Sequence, residues 1–269
     1  MTTNRTGARS AEVDVIRRRG PERTGVRDAV AVEDPLEIRL AEVPIAVTMR
    51  TPGDDHDLVR GFLLTEAILL DPAEIAGMEH VDGSRLTVRL RDDIQLQAEQ
   101  FQRNMFVSSS CGVCGKASIE QVELMARRPP AFSVSQDVLA HLTDQLRDRQ
   151  PVFDQTGGLH AAGLFDVHGR LLAVREDVGR HNAVDKAIGA AVKESWPLPP
   201  SLLVVSGRQS FEIVQKAAMA GIGGVVGVSA PSSLAVELAE KLGMLLVGFA
   251  RGEGFNVYAG EERLTSGAA

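Results

Sequence analysis

The only two cysteines of the chain, Cys111 and Cys114, stand in Ser110-Cys111-Gly-Val-Cys114-Gly115-Lys116. A cysteine acts as a nucleophile in its thiolate form, which a nearby lysine and the positive end of a following helix both favour. Three chemistries fit such a pair: sulfur transfer, thioredoxin-type dithiol exchange and zinc binding. Structural zinc needs four ligands, so one CxxC must borrow histidines or meet its copy across a dimer axis. A thioredoxin-type motif expects a strand and then a CxxC helix early in the chain, which this sequence lacks. Sulfur chemistry at Cys111 and Cys114 is therefore the expectation, with no metal assigned.

A second group of residues lies in the carboxy-terminal half. Ser206-Gly207-Arg208, Ser229-Ala-Pro231-Ser-Ser233 and Phe249-Ala250-Arg251-Gly252-Glu253-Gly254 each follow an apolar, strand-like run. Ligands of parallel sheets bind outside the carboxyl ends of the strands, so three such loops gather hydroxyls, helix-start amides and two arginines on one edge. That is equipment for holding phosphate. None matches a Walker loop or GxGxxG, which speaks against an ordinary nucleotide hydrolase or dinucleotide dehydrogenase. Glu176-Asp177-Val-Gly-Arg180-His181-Asn182 packs two acids, an arginine, a histidine and an amide into a strand-to-helix handover on the same edge. Asp177 is expected either to join a site there or to pair with Arg180 on the surface. His160, in Thr156-Gly-Gly-Leu-His160, is either a core histidine or a ligand contact or acid/base, since imidazole titrates near neutrality.

The elements that must position these residues are legible from periodicity. Leu202 to Val205, Val225 to Val228 and Met244 to Phe249 read as strands, with helices between them ending at Gly221 and Gly243, where glycine can take the left-handed conformation. The β-α-β-α-β order implies right-handed crossovers and a largely parallel sheet with helices on its faces. Asn182 and Asp185 resemble a capping pair at the start of a helix carrying Val184, Ile188 and Val192. Val138, Leu139, Leu142 and Leu146 mark a surface helix. Residues 36–50 alternate as a hairpin, Asp54-Asp55 offers an aspartate cap, Leu58, Phe62 and Leu69 mark one helical face, and Asp82-Gly83 turns another hairpin. Residues 1–27 show almost no apolar periodicity and read as a mobile basic arm, 28–105 as an amino-terminal lobe, and 106–269 as the main α/β domain.

Composition excludes several classes. With 29 basic against 36 acidic residues the net charge is −7, opposite in sign to a nucleic-acid binder. The 4% aromatic content leaves aliphatic residues and alanine to fill the core. The run from Ala217 to Val236 is uncharged, but its glycines, serines and Pro231 read as helix end, strand and loop rather than a membrane span. The amino terminus lacks a signal-peptide apolar stretch, and two CxxC cysteines suit a reducing compartment, so the cytoplasm is expected.

These motifs resemble the formate dehydrogenase accessory sulfurtransferase family, FdhD. The likeness begins near residue 30 and runs through Glu33–Leu36, Met49–Asp55, Gly61–Glu66, Ser110–Gly115, Thr156–His160, Arg175–Lys186, Ser206–Arg208, Ser229–Pro231 and Gly248-Phe249. It implies a cytidine-deaminase-like three-layer α/β fold with a parallel or mixed sheet and a smaller β-rich amino-terminal lobe. It further implies a homodimer that accepts sulfur from a cysteine desulfurase. The sulfur is then handed to a molybdenum bis(guanine dinucleotide) cofactor, as cargo, before insertion into formate dehydrogenase. Cys111 matches the family's persulfide-forming cysteine, Cys114 its partner, and Phe249–Gly254 a cofactor-binding stretch. Ser206, Arg208, Ser229, His160, Arg180 and His181 complete the expected cofactor set. The zinc-deaminase signature is not present, so deamination does not follow from the fold. Ala41-Glu42 stands where the family often has Asn-Gly, Ala67 where glycine is usual, and Gly223-Gly224 where proline is common. A noncatalytic molybdenum-cofactor chaperone and a dithiol oxidoreductase remain the alternatives.

Overall fold

The basic amino-terminal stretch is more regular than its weak apolar periodicity predicts in the computed structural model, which describes residues 7–94 and 119–266. Strands β1 (Ser10–Arg19) and β2 (Glu22–Ala31) form an antiparallel ribbon closed by Gly20-Pro21. The sequence reading missed it because the supporting signal is sparse. Val13 and Val15 share a face with Val26, and β-branched residues suit an extended chain even when little is buried.

The amino-terminal lobe is a four-stranded sheet of order β4-β3-β6-β5. It comprises β3 (Asp34–Leu40), β4 (Val43–Arg50), β5 (Ile75–Asp82) and β6 (Arg85–Leu90), paired by the two expected hairpins. Helix α1 (Asp55–Thr65) lays Leu58, Val59, Phe62 and Leu63 on Leu36, Ile38, Leu86 and Val88. At about 1.5–3 kcal/mol for each large side chain fully buried, this face outweighs the weak start of the helix. Asp54 does not cap α1. It sits at φ 57° with no side-chain hydrogen bond to the helix, and its carboxylate instead lies 3.4 Å from Arg175. Leu69 is buried beyond the helix end, where the chain folds back through Ala67 at φ 54°.

The main sheet has order β13-β12-β11-β10-β8-β9. Its centre, β10 (Ser201–Val205), β11 (Gly224–Gly227) and β12 (Leu245–Arg251), is parallel and carries the expected β-α-β-α-β order through α6 (Phe211–Met219) and α7 (Ser233–Leu242). β8 (His160–Asp166), β9 (Leu171–Asp177) and β13 (Gly254–Ala259) join antiparallel, so the whole sheet is mixed. With α6 and α7, α5 (Arg180–Glu194) packs on one face around Ile188, Val205, Val214 and Leu238. On the other face, α3 (Gln136–Arg147) buries Leu139, Leu142 and Leu146 against Phe165, Val204 and Val247. The helix expected on the surface is thus half core. Short α2 (Ile119–Met125), α4 (Pro151–Thr156), and a parallel pair β7 (Val134–Ser135) and β14 (Leu264–Thr265) complete the described chain. No helix among the described residues is long and apolar enough to cross a membrane; Ala217–Val236 divides into the end of α6, β11 and the start of α7.

The four-stranded and six-stranded sheets are joined where α1 crosses α5. A Cβ on Gly61 would stand 1.9 Å from the Asp185 carbonyl oxygen, so only glycine allows the approach. Neither Asn182 nor Asp185 caps α5, which starts after Gly179; both lie inside it, because the better use of their side chains is across this junction. Asp185 and Glu66 converge on Lys216, with Nζ–oxygen distances of 2.9 and 2.6 Å, and Thr65 donates to Asp185 at 2.7 Å. Burial pushes the Asp185 carboxyl up to about 6, the repulsion of Glu66 adding to it and the attraction of Lys216 opposing it.

Candidate functional site

The first two loops leave the same edge of the parallel strands and are stitched together by one residue. Gln209, fully buried, donates its backbone N–H to Ala230 O at 3.3 Å and accepts from Ser232 N at 2.9 Å. Its side-chain amide donates to Ser229 O at 3.1 Å. Ser206 ties this edge to β8, its hydroxyl accepting from Ala161 N at 2.9 Å. Ser232 caps α7 by accepting from Ala235 N. Gln209 directly follows the expected Ser206-Gly207-Arg208 loop, and its only signal in the sequence is a lone amide between a loop arginine and a helix-start serine.

Charge gathers on this edge from three elements. His160 opens β8 opposite Asp177, the last residue of β9, and Arg180 opens α5. Gly207 lies against both: a Cβ there would stand 3.3 Å from His160 Nδ1 and 3.8 Å from Arg180 Cβ. Burial lowers the His160 pKa, and the charges of Arg180 and Arg208 add to the effect while Asp177 opposes it. Together these effects favour the neutral imidazole. Burial works to raise the Glu212 carboxyl on α6, but hydrogen bonding at the helix start and the charges of His181 and Arg180 outweigh it and hold it below its ordinary value. Arg180 Nε has no acceptor among the described residues. Arg208 is exposed and meets no carboxylate there.

The dense run Glu176–Asn182 proves largely structural. Glu176 accepts the N–H groups of Val152 and Phe153 at the start of α4, at 3.1 and 2.8 Å. Asp177 does not pair with Arg180 at the surface. It is fully buried, 2.8 Å from the equally buried Lys186, and accepts from Thr51 N, Gly179 N and Asn182 Nδ2. Asn182 also donates to Met49 O at 2.7 Å and accepts from Thr48 Oγ1 at 3.1 Å. These bonds lock strand β4 and the turn after it to the edge that carries His160 and Arg180. Of the run, Arg180 still has an Nε without an acceptor among the described residues, and His181 is buried in the first turn of α5.

The third segment differs in form from the first two. β12 runs on to Arg251 and returns through Gly252-Glu253 into β13, so Phe249–Gly254 is a bulged hairpin and not a loop entering a helix. At the bulge Phe249 takes φ 53°, a left-handed conformation that costs a non-glycine residue roughly 1–2 kcal/mol. Its N–H donates to Ser229 O, Ala250 is buried, and Phe249 is 47% exposed. Strain of this kind collects at binding sites, and here it presents an aromatic ring and the exposed Arg251 beside the Ser229 loop.

A cavity of about 400 Å³ opens behind His160 and Ser206, walled by Thr143, Arg147, Phe153 and Leu159 among others. The Arg147 guanidinium lies 4.9 Å from the Phe153 ring centroid. Thr143 is buried, and its hydroxyl has no partner among the described residues. An apolar slot with an unspent hydroxyl beside a cationic edge suits a flat, polar-edged ring attached to phosphate. Sequence reasoning did not point to it, since α3 read as a surface helix. Cys111 and Cys114 lie outside the described residues. No cluster of three or more His, Cys, Asp or Glu side chains able to hold a metal occurs among the described residues.

Comparison with known proteins gives a consistent picture. Residues 31–265 match the model of the FdhD/NarQ family. The chain is 49% identical over 256 residues to the sulfur carrier protein FdhD of Streptomyces coelicolor, covering 90% of this chain and 91% of that protein. It is 50% identical to the protein of the same name from Nocardia farcinica, covering 90% of each. Mycobacterium tuberculosis has another at 48%, covering 88% of this chain and 92% of that protein. The crystal structure of a formate dehydrogenase accessory protein from Desulfotalea psychrophila superposes with a TM-score of 0.78 at 26% identity, covering 96% of this chain and all of that one.

Proposed function

The chain belongs to the FdhD/NarQ family, and from that premise we propose that it is a sulfur carrier, a sulfurtransferase working by persulfide relay. It takes sulfur from a cysteine desulfurase and passes it to a molybdenum bis(guanine dinucleotide) cofactor before that cofactor enters formate dehydrogenase. The observation that carries this reading is the likeness of about nine-tenths of the chain to proteins named as sulfur carriers. The accessory protein of similar fold supports the formate dehydrogenase client.

In the first step the Cys111 thiolate attacks the outer sulfur of the donor's persulfide. The bond between the donor's two sulfurs breaks, the donor cysteine leaves as thiolate, and Cys111 carries the persulfide. Cys114 then either takes the sulfur onward or attacks Cys111, closing a disulfide and releasing hydrosulfide. The cofactor is the substrate of the crevice. Arg208 and Arg251 hold its pyrophosphates by charge-assisted hydrogen bonds, with Ser206 and Ser229 beside them. Guanine occupies the cavity next to His160, and Arg180 and His181 supply positive potential from the start of α5. The Phe249 ring and the Gly252–Gly254 turn border the same entrance. The protein works in the cytoplasm, where thiols are kept reduced, and as a homodimer.

Intact-protein mass spectrometry after incubation with a cysteine desulfurase and cysteine tests the relay. Wild type should gain about one sulfur mass, removable by reductant, and Cys111→Ser should not. No gain in wild type, with cofactor binding intact and a Cys111→Ser/Cys114→Ser variant still activating formate dehydrogenase, would replace the relay by a noncatalytic chaperone.

A further inference from the structure

The ribbon β1–β2 carries none of the expected site residues, and its distal half is exposed to solvent. Ten pairs in register extend it about 34 Å at 3.4 Å per residue. Its root is held to the body: Arg9 donates to Glu176 O at 3.2 Å, and Ala31 lies against Gly158. Beyond the root, residues 16–25 are exposed on both strands. A two-stranded ribbon is marginal in water without a packing partner.

Charge is sorted along its length. Near the root, Arg27 meets Glu12 and Asp14, at 3.2 and 3.8 Å, and Arg17 lies 3.9 Å from Asp28. At the tip Arg18 stands directly opposite Arg23, a like-charge pair that weakens a ribbon already short of packing. Neither meets a carboxylate among the described residues. Ile16, one step back on the same face, is 52% exposed and faces Gly25, so nothing covers it. A side chain arrangement that opposes its own strand pairing is stabilised by an anionic, partly apolar surface placed against it.

The rest of the chain carries charge of the opposite sign. Residues 1–31 hold seven arginines and four acids, a net +3, so the chain's −7 leaves −10 on residues 32–269. We propose that the ribbon is an exchange arm, its Arg18/Arg23 tip and Ile16 docking on the acidic body of a second copy of this chain. Ribbon-to-ribbon pairing is disfavoured, since it would set two arginine tips side by side. Reciprocal arms around a two-fold axis close the assembly at two chains. This inference deepens the homodimer reading above and rests on it.

Sedimentation of the full chain tests it, comparing wild type with Arg18→Glu/Arg23→Glu and with a charge-matched control, Arg128→Glu/Arg149→Glu. The tip variant should weaken the dimer at least about tenfold, and wild type should weaken as salt rises from about 0.1 to 0.5 M; the control should match wild type. Arg18→Lys/Arg23→Lys should retain most of the affinity. Thermal melts confirm that the exposed tip substitutions leave the fold intact. A tip variant that dimerises as tightly as wild type overturns the exchange arm while leaving the homodimer standing. A wild type that is monomeric at about 100 μM, well above the micromolar range of specific association, overturns both.

Discussion

Two charged regions of this molecule, the run Glu176–Asn182 and the arginines of the crevice edge, end in opposite states. The run Glu176–Asn182 spends its two carboxylates and its amide on the protein: Glu176 on α4, Asp177 on Lys186 and three donors, Asn182 on strand β4. Arg208 and Arg251 stand exposed on the crevice edge and meet no carboxylate among the described residues. Density of charge in the sequence is therefore a poor guide to which groups are free to act. A carboxylate removed from water must be met by donors and a counter-charge, and those partners make it structural. An arginine left in solvent costs little to keep and remains available to a ligand.

Substitutions on the two sides should separate cleanly. Asp177→Ala leaves Lys186 buried without its counter-charge and should cost about 3–5 kcal/mol of stability, measured by urea unfolding. A loss within about 0.5 kcal/mol, the range of surface changes, would dissolve the contrast. Asp185→Asn probes the neighbouring buried cluster through pH. The Asp185 pKa is raised on folding, to about 6, so the folded protein holds this proton more tightly than the unfolded chain. That contribution to stability is fully present below about pH 4, the unfolded value, and is lost as pH rises through about 6. Removing the titrating group should flatten that part of the stability profile, and an unchanged slope would contradict it.

On the open side the sign reverses. Arg208→Ala and Arg251→Ala should leave unfolding free energy within about 0.5 kcal/mol of wild type. Each should weaken binding of a guanosine diphosphate probe by about tenfold or more, as loss of a charge-assisted hydrogen bond requires. Calorimetry showing undiminished binding would remove them from the crevice. The smallest effect concerns strain. Ala67 takes φ 54° at a turn away from the crevice edge, whereas Phe249 takes φ 53° at the bulge beside it. Ala67→Gly should therefore raise stability by about 0.5–1 kcal/mol with binding unchanged. Phe249→Gly should relieve similar strain but weaken the probe, which would mark the ring held there as part of the binding edge.

The departures from the family pattern gain a physical meaning here. Ala41 and Ala67, the two alanines that the resemblance singles out as departures, both take positive φ, at 50° and 54°. The sequence flagged these positions by resemblance, and the backbone explains them. The strand runs at 202–205, 225–228 and 244–249 gave the parallel centre and its loop edge correctly, because period and glycine stops are local signals. Asn182 and Asp54 were read as helix caps on equally local grounds and failed, because each found a stronger partner far along the chain. The ribbon at residues 10–31 was missed for the converse reason: its strands bury too little to leave a periodic trace.

The sequence by itself determined the paired cysteines, the phosphate-suited loops, the family and the α/β order, since these depend on residue type and short spacing. Only the tertiary structure decided which charges are consumed and which are free. It also brought Gln209 between two loops, set Thr143 in a cavity behind His160, and turned Arg251 back on a hairpin beside Ser229. Those outcomes depend on which distant groups compete for each donor and acceptor, and that competition is settled only when burial removes water as the alternative partner.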